Sequence, residues 1–563
     1  MKGLLISDFN IENLSAYLKV ESNAPQLECQ VAPYGQITQN LLDGTLPFWQ
    51  PSPDFVVVWT RPESVLESFA RVLSGFAVDG ETIRSDVDVY CKRLLLAKHR
   101  VRTLFVPTWV VPTFHHGQGM LDLASGIGVA RLLMHANMRL LENLDEHSNI
   151  IPLNAAKWVE LAGKTAFNQR LWYLGKVPFG NEVFKAAARD FKAALRGIHG
   201  QARKLVILDL DETLWGGIVG EIGWQEIVLG GHDATGEALV DFQTELKALT
   251  RRGIVLAIAS RNDESVALEA IREHPEMVLR EQDFASWRIN WKDKAENINE
   301  LVEELNLGLE AAVFIDDNPV ERSRVREALP SVLVPDWPED KRLYPQALRS
   351  LDCFDKPSIS AEDRRRQEMY TRERQRAQLK NRVGSVEEWL QTLDLTVTVE
   401  PLNSANLRRL TQLFNKTNQM NLSTRRMTEQ ELLDWAEREN RRMWGFLVSD
   451  RFGDSGLTGI LGMAAGDGCA TIVDFILSCR VMGRRVEESM LHIAVDWARS
   501  LMMGSVQAIY APTSKNKPCY DFFQRSNFRH ESDNTFVWDA AQEYPLHRAV
   551  RLLKKAERYG QAL

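Results

Sequence analysis

Residues 204–219 read Lys204-Leu205-Val206-Ile207-Leu208-Asp209-Leu210-Asp211-Glu212-Thr213-Leu214-Trp215-Gly216-Gly217-Ile218-Val219. Four apolar residues without alternation, running into a polar turn, predict a strand buried on both faces, as parallel sheets require. The same pattern recurs downstream. Ile254-Val255-Leu256-Ala257-Ile258-Ala259 ends on Ser260, and Ala312-Val313-Phe314-Ile315 ends on Asp316-Asp317. In open parallel sheets the ligand sits at the carboxyl ends of the strands, so Asp209, Ser260 and Asp316 are expected to converge. Lys294, in Trp291-Lys292-Asp293-Lys294, is preferred over Lys292 as their partner, because it opens the helix predicted over 295–305.

This ordered set resembles the four motifs of the haloacid dehalogenase (HAD) superfamily, and the chemistry needs these residue types. A carboxylate is a weak nucleophile, yet it can attack a phosphoryl group held by a cation. Asp209 is the candidate nucleophile, forming an aspartyl phosphate. Asp211 is the candidate acid/base, protonating the leaving oxygen and then activating water. Magnesium prefers hard oxygen ligands, for which Asp209, Asp316, Asp317 and the Asp211 carbonyl are the candidates. Thr213, Ser260 and Lys294 are the candidate phosphate ligands as charge develops. The segments 213–260 and 260–316 are too short for a large cap domain. The resemblance implies a minimal-cap enzyme that admits bulky substrates, with Trp215-Gly216-Gly217-Ile218-Val219-Gly220 as a flap.

The other segments bound the reading. A chain of 563 residues exceeds one hydrophobic core and implies several domains. The net charge of -8 argues against a nucleic-acid binder. The amino-terminal apolar run is too short for a signal peptide, and no apolar stretch suggests a membrane span, so a cytoplasmic protein is expected. Cys29, Cys91, Cys353, Cys469, Cys479 and Cys519 form no C-x-x-C pair, which indicates neither a zinc site nor a disulfide framework.

An α/β, multidomain organisation follows. Residues 1–200 alternate apolar strands (Leu4–Ile6, Phe55–Trp59, Thr103–Pro107) with helical stretches such as Val129–Leu144, and look like an SGNH-hydrolase α/β/α domain. Its first strand runs into Ile6-Ser7-Asp8-Phe9 rather than a Gly-Asp-Ser turn. His115-His116 reads as an ordinary histidine pair, so the domain is expected to be non-hydrolytic and to help bind a carrier or cover the phosphotransfer site. Residues 201–355 form the HAD-like Rossmannoid part. Residues 356–395 are highly charged and read as a helical linker. Residues 396–563 resemble a GNAT acyltransferase, an α+β fold, with a basic amphipathic helix expected after Pro545. In that fold, the loop Arg480-Val481-Met482-Gly483-Arg484 offers N–H groups to the phosphate of a pantetheine carrier, and Asn516 belongs to its late motif. Arg485 stands where acetyltransferases usually place Gly or Ala.

The stretch 208–217, Phe314-Ile315-Asp316-Asp317-Asn318-Pro319, the stretch 415–426 and Ser478-Cys479-Arg480-Val481-Met482-Gly483-Arg484 together resemble the FkbH family. The resemblance implies a Mg2+-dependent glyceryl transferase/phosphatase. Such an enzyme dephosphorylates 1,3-bisphosphoglycerate and loads the glyceryl unit as a thioester on an acyl carrier protein in polyketide biosynthesis. Cys479, beside Arg480 at a helix start, is the candidate nucleophile for the acyl group, with Arg480, Gly483, Arg484 and Asn516 around the carrier's pantetheine. Two other readings remain open: a HAD phosphatase with a coenzyme A-dependent N-acetyltransferase domain, and a non-enzymatic carrier-protein scaffold.

Overall fold

The computed structural model describes residues 1–563 except 21–24, 113–118, 360–362, 364–368, 371–375, 377–378, 380–384, 514, 533 and 556–563. His115-His116 and half of the linker 356–395 lie outside the described residues. The chain divides into two compact units, Met1–Ile198 with Asp355–Pro357, and His199–Phe354 with Ser358–Leu563. The HAD-like and carboxy-terminal parts, read as separate domains from sequence, therefore belong to one unit.

The first unit is built on five parallel strands in the order β2-β1-β3-β4-β5: β1 (Lys2–Ser7), β2 (Glu28–Val31), β3 (Phe55–Trp59), β4 (Thr103–Pro107) and β5 (Ile150–Leu153). β3 and β4 are buried along their whole length, as their unbroken apolar runs dictate. Two cores flank the sheet, one including Val56, Val58, Leu104 and Leu140, the other Trp59, Trp158, Phe184 and Phe191.

The second unit holds two sheets. One is parallel, in the order β8-β7-β6-β9: β6 (Leu205–Leu208), β7 (Val255–Ser260), β8 (Ser286–Ile289) and β9 (Ala312–Ile315). Helices Ala234–Arg251, Glu264–Glu273 and Lys294–Glu304 connect its strands, and Pro319–Ala328 follows the last of them. Asp233, Asp263, Asp293 and Asn318 cap these helices, each side chain accepting from backbone N–H groups of the first turn.

The other sheet has nine strands: β10 (Leu395–Pro401), β11 (Met420–Asn421), β12 (Arg441–Asp450), β13 (Gly453–Gly466), β14 (Cys469–Leu477), β15 (Ser505–Ile509), β16 (Arg529–Ser532), β17 (Thr535–Asp539) and β18 (Val550–Lys554). β12, β13 and β14 form an antiparallel core, with the turn between β13 and β14 at Asp467-Gly468. The tail differs from expectation. Val550–Lys554 is not helical but an edge strand, parallel to β10 with Val550 opposite Leu395. Val550 is buried and Leu552 packs on the core, so period-two burial and an open sheet edge override the amphipathic pattern.

β14 is the strand that diverges. It pairs with β15 only through Ile472, opposite Ala508. Beyond that point its edge is taken by β11, with Met420 opposite Leu477 and Asn421 opposite Ile476. On the far side of β11, Ala511 N–H donates to the Leu422 carbonyl (2.9 Å).

Candidate active site

The strand ends β6, β7 and β9 bring the predicted phosphotransfer residues to one edge of the parallel sheet. Asp209 N–H donates to the Ile315 carbonyl (3.0 Å), which locks the first loop beside the last. Carboxylate oxygens of Asp209, Asp316 and Asp317 lie within 4.8 Å of one another. Lys294, the first residue of its helix, places Nζ 2.9 Å from Asp209 Oδ1 and 2.6 Å from Asp316 Oδ2. Lys292 instead reaches Glu300 at 3.3 Å and stays exposed. Ser260 is buried at the end of β7.

The electrostatics follow from crowding. Burial and the neighbouring Asp209 charge push the Asp316 carboxyl upward, although Lys294 opposes them. Asp317 is raised for the same two reasons, opposed by the Thr213 hydroxyl. Burial works against the Lys294 charge, but Asp209 and Asp316 outweigh it and raise the ammonium. Two buried carboxylates and a half-buried one around one ammonium leave net negative charge, and all their donor atoms are hard oxygens. That set fits a divalent cation such as Mg2+. Thr213 is buried, and its hydroxyl accepts from Asp317 N–H (3.1 Å) and contacts Asp317 Oδ1 (3.2 Å). It holds the fourth motif in place.

Asp211 stands apart from the three carboxylates. Its Oδ1 accepts from Trp215 Nε1 (2.9 Å) and Val219 N–H (3.1 Å), and its Oδ2 from Asn262 Nδ2 (2.8 Å). Burial raises its carboxyl, with Asp209 and Glu212 adding to the rise and two of these donors opposing it. A carboxyl raised by burial and held by three donors, beside a second carboxylate paired with a lysine, suits an acid/base. Sequence reasoning missed Trp215 and Asn262 as its holders. Only the position of Asn262, two residues past Ser260, signalled it.

The flap is held by Glu212, a non-glycine residue at φ +59°, whose Oε1 accepts from Gly217 N–H (2.7 Å) and whose Oε2 meets Lys341 at 2.5 Å. Gly216 and Val228 exchange both backbone hydrogen bonds, and Gly217 takes φ +96°. Beyond them there is only the short helix Val219–Ile222 before Ala234–Arg251, so no cap domain occupies this insertion.

Cys479 opens a short helical turn (Cys479–Val481) directly after β14, and it lines a cleft of about 250 Å³. Arg480 and Met482 from its own loop, Arg376, Asp454, and Glu303 to Asn306 are among the other lining residues. Asn306 Nδ2 donates to the Cys479 carbonyl (3.1 Å). Burial pushes the Cys29 thiol up to about 12 and the Cys91 thiol to about 11.

The loop after Cys479 differs from an open phosphate cradle. Gly483 N–H donates to Glu487 Oε1 (2.7 Å), and Met482 N–H to the Cys479 carbonyl (3.3 Å). Arg484 turns inward, 2% exposed, with Nη2 on the Arg480 carbonyl (2.6 Å) and Nη1 3.4 Å from Asp450. Asn516 is wholly buried. Its Oδ1 accepts from Tyr510, Thr513 N–H and the Thr513 hydroxyl, while its Nδ2 donates to the Asn421 and Ala511 carbonyls. It ties β11 to the segment after β15. Neither Arg484 nor Asn516 presents a group to a carrier phosphate in this arrangement; both are consumed by the fold.

No family model and no curated protein matches the chain. Among solved structures it resembles the N-terminal part of a Bacteroides fragilis protein that contains a phosphatase domain, complexed with Mg. The identity is 28% and the TM-score 0.57, over 64% of this chain and 95% of that one. A likeness in fold to a spermidine/spermine N-acetyltransferase from Vibrio cholerae, solved with manganese ions, has 14% identity and a TM-score of 0.21, over 27% of this chain and 95% of that one. The fold is thus similar to a HAD-like phosphatase domain, and the carboxylate–lysine cluster at the sheet edge is its candidate site.

Proposed function

We propose that the protein is a glyceryl transferase/phosphatase. It takes 1,3-bisphosphoglycerate, removes both phosphates, and loads the glyceryl unit on the pantetheine thiol of an acyl carrier protein. The observation that carries this reading is one compact unit holding a phosphotransfer cluster (Asp209, Asp211, Lys294, Asp316, Asp317) and a cleft lined by Cys479. Mg2+ held by Asp209, Asp316, Asp317 and the Asp211 carbonyl neutralises phosphoryl charge when bound. Asp209 attacks phosphorus, its P–O bond forming as the ester P–O bond breaks. Asp211 gives its proton to the leaving oxygen and later takes one from the water that hydrolyses the aspartyl phosphate. Lys294 steadies phosphoryl oxygens and pairs with Asp209. The Cys479 sulfur attacks the acyl-phosphate carbonyl. A C–S bond forms, the C–O bond to phosphate breaks, and the carrier thiol then displaces Cys479 by thioester exchange.

The first unit we read as an SGNH-type frame without hydrolysis that serves carrier binding. Ser7 is buried with Oγ accepting from Phe9 N–H (3.2 Å), and Asp8 is tied to Arg61 and Ser64. Against a coenzyme A acetyltransferase weigh two features: β11 closes the gap between β14 and β15, and Glu487 takes the Gly483 N–H. Intact-protein mass spectrometry of a holo acyl carrier protein, incubated with enzyme, Mg2+ and 1,3-bisphosphoglycerate, tests the proposal. A glyceryl adduct is the expected product; acetylation of polyamines from acetyl-coenzyme A, with no adduct, would replace this reading by the second.

A further inference from the structure

Leu208, the last residue of β6, pairs with Ile258 on one side and Ile315 on the other, so Asp209 leaves the sheet between β7 and β9. β7 and β9 are thus two strand spacings apart, about 10 Å, with the strand of Asp209 between them. A side chain that follows β7 meets one that follows β9 by crossing the carboxyl end of β6. Arg261 and Glu321 do so. Arg261, the residue after Ser260, places Nη1 2.8 Å from Oε1 of Glu321, in the first turn of the helix Pro319–Ala328. The flanking residues tie both ends of this bridge to the phosphotransfer cluster. Asn262 Nδ2 donates to Asp211 Oδ2 (2.8 Å), and Asn318 N–H donates to Asp316 Oδ1 (2.8 Å).

The two partners are unequal. The Arg261 side chain is 43% exposed and that of Glu321 11%, and Glu321 Oε2 is enclosed without a hydrogen-bond partner among the described residues. An ion pair with one member in water is weak, so another anion can take the guanidinium. The neighbouring cations are committed elsewhere. Lys294 holds Asp209 and Asp316, Arg322 donates to the Asp316 and Asp317 carbonyls, Lys292 meets Glu300, and Arg324 meets Asp293. Charge counting shows what Arg261 is needed for. Three carboxylates and one ammonium leave two negative charges, which a divalent cation cancels. Nothing in that set then balances a second anionic group on the substrate. A phosphorylated three-carbon acid carries such a group about 5 Å from phosphorus, one strand spacing away.

We infer that Arg261 is a specificity-determining residue of the phosphotransfer site: it leaves Glu321 to bind the anionic end of the substrate that is not transferred. The site thereby selects phosphate esters of hydroxy acids over those of neutral alcohols. This inference rests on the phosphatase reading and adds the residue that recognises the rest of the substrate. The guanidinium presents paired N–H groups that match a carboxylate or a second phosphate. Glu321 holds it across the end of β6 until a substrate anion displaces it. With no large cap domain among the described residues to recognise the substrate, a side chain at the strand ends takes that task.

Two measurements test this. Wild-type enzyme with Mg2+ is expected to release phosphate from 3-phosphoglycerate with kcat/KM at least about 10-fold above that for glycerol 3-phosphate, which has a hydroxyl in place of the carboxylate. Arg261→Gln is expected to bring the two substrates within about 3-fold, and Arg261→Lys to restore part of the difference. The second measurement is calorimetric binding to Asp209→Asn, which does not turn over. Adding Arg261→Gln is expected to weaken 3-phosphoglycerate by at least about 10-fold and inorganic phosphate by less than about 3-fold. Equal weakening of both ligands, with an unchanged circular dichroism spectrum, overturns the assignment and leaves the phosphatase reading intact. So does a wild-type ratio near one, a result that needs no variant. No phosphate release by the wild type from either substrate or from a generic aryl phosphate overturns both.

Discussion

Lys294 Nζ lies 2.6 Å from Asp316 Oδ2, and the two side chains are 4% and 0% exposed. Removing the ammonium leaves buried carboxylates without their counter-charge, which typically costs about 3–5 kcal/mol. Lys294→Met is expected to lose stability of that order in chelator and to recover part of it with Mg2+, since the cation supplies the missing positive charge. Urea denaturation with and without Mg2+ checks this; an equal loss under both conditions would show that the carboxylates do not form a cation site.

Asp209→Asn keeps the shape of the side chain and removes the nucleophile. Phosphate release from a generic aryl phosphate is expected to fall by at least about 10³-fold, with an unchanged circular dichroism spectrum. Release at the wild-type rate at saturating Mg2+ would place the nucleophile elsewhere.

Much of this site was legible along the chain, because its logic is local. Each of Asp209, Ser260 and Asp316 follows a run of apolar residues whose burial forces a strand, and a parallel sheet puts all strand ends on one edge. Lys294 was legible because it opens the helix predicted over 295–305. What escaped depends on contacts between distant residues. Trp215 and Asn262 bind Asp211 from either side, yet neither residue type announces an acid/base partner. β11 is two residues long and exists because β14 and β15 diverge. Val550–Lys554 reads as helix by pattern and becomes a strand because β10 offers an unpaired edge. The inward turn of Arg484 is of the same kind: its partner, Asp450, closes β12, far away in sequence.

That carboxylate yields the next expectation. Asp450 is 1% exposed at its side chain and receives Arg376 through two hydrogen bonds of 2.8 Å as well as Arg484 at 3.4 Å. Asp450→Asn leaves guanidinium charge buried against a neutral amide. A loss of about 3–5 kcal/mol is expected by chemical denaturation. A loss below about 1 kcal/mol would mean that solvent reaches the cluster.

In the first unit, Ser7→Ala is expected to leave glyceryl transfer unchanged within error, because the Ser7 hydroxyl faces Phe9 N–H in the interior. A loss of several orders of magnitude with the fold retained would identify a working serine.

Glu487 carries the pH expectation. Its carboxyl is wholly enclosed and pushed up to about 7, first by burial and then by Glu488, against the Gly483 N–H and Arg485. One oxygen accepts from Gly483 N–H; the other is buried without a hydrogen-bond partner. A carboxyl whose folded pKa lies above its unfolded value favours the folded state while it is protonated. The contribution is complete below the unfolded value, near 4.5, and is lost as pH rises through about 7. The shift corresponds to an upper figure of about 3 kcal/mol. Glu487→Gln removes the titration and keeps an acceptor for Gly483. The difference in stability between wild type and Glu487→Gln is therefore expected to move in favour of the variant between pH 5 and pH 8. Thermal unfolding of both proteins across that range reads it directly. Parallel profiles would mean that Glu487 is already ionised in the fold, and that the loop after Cys479 is open to water.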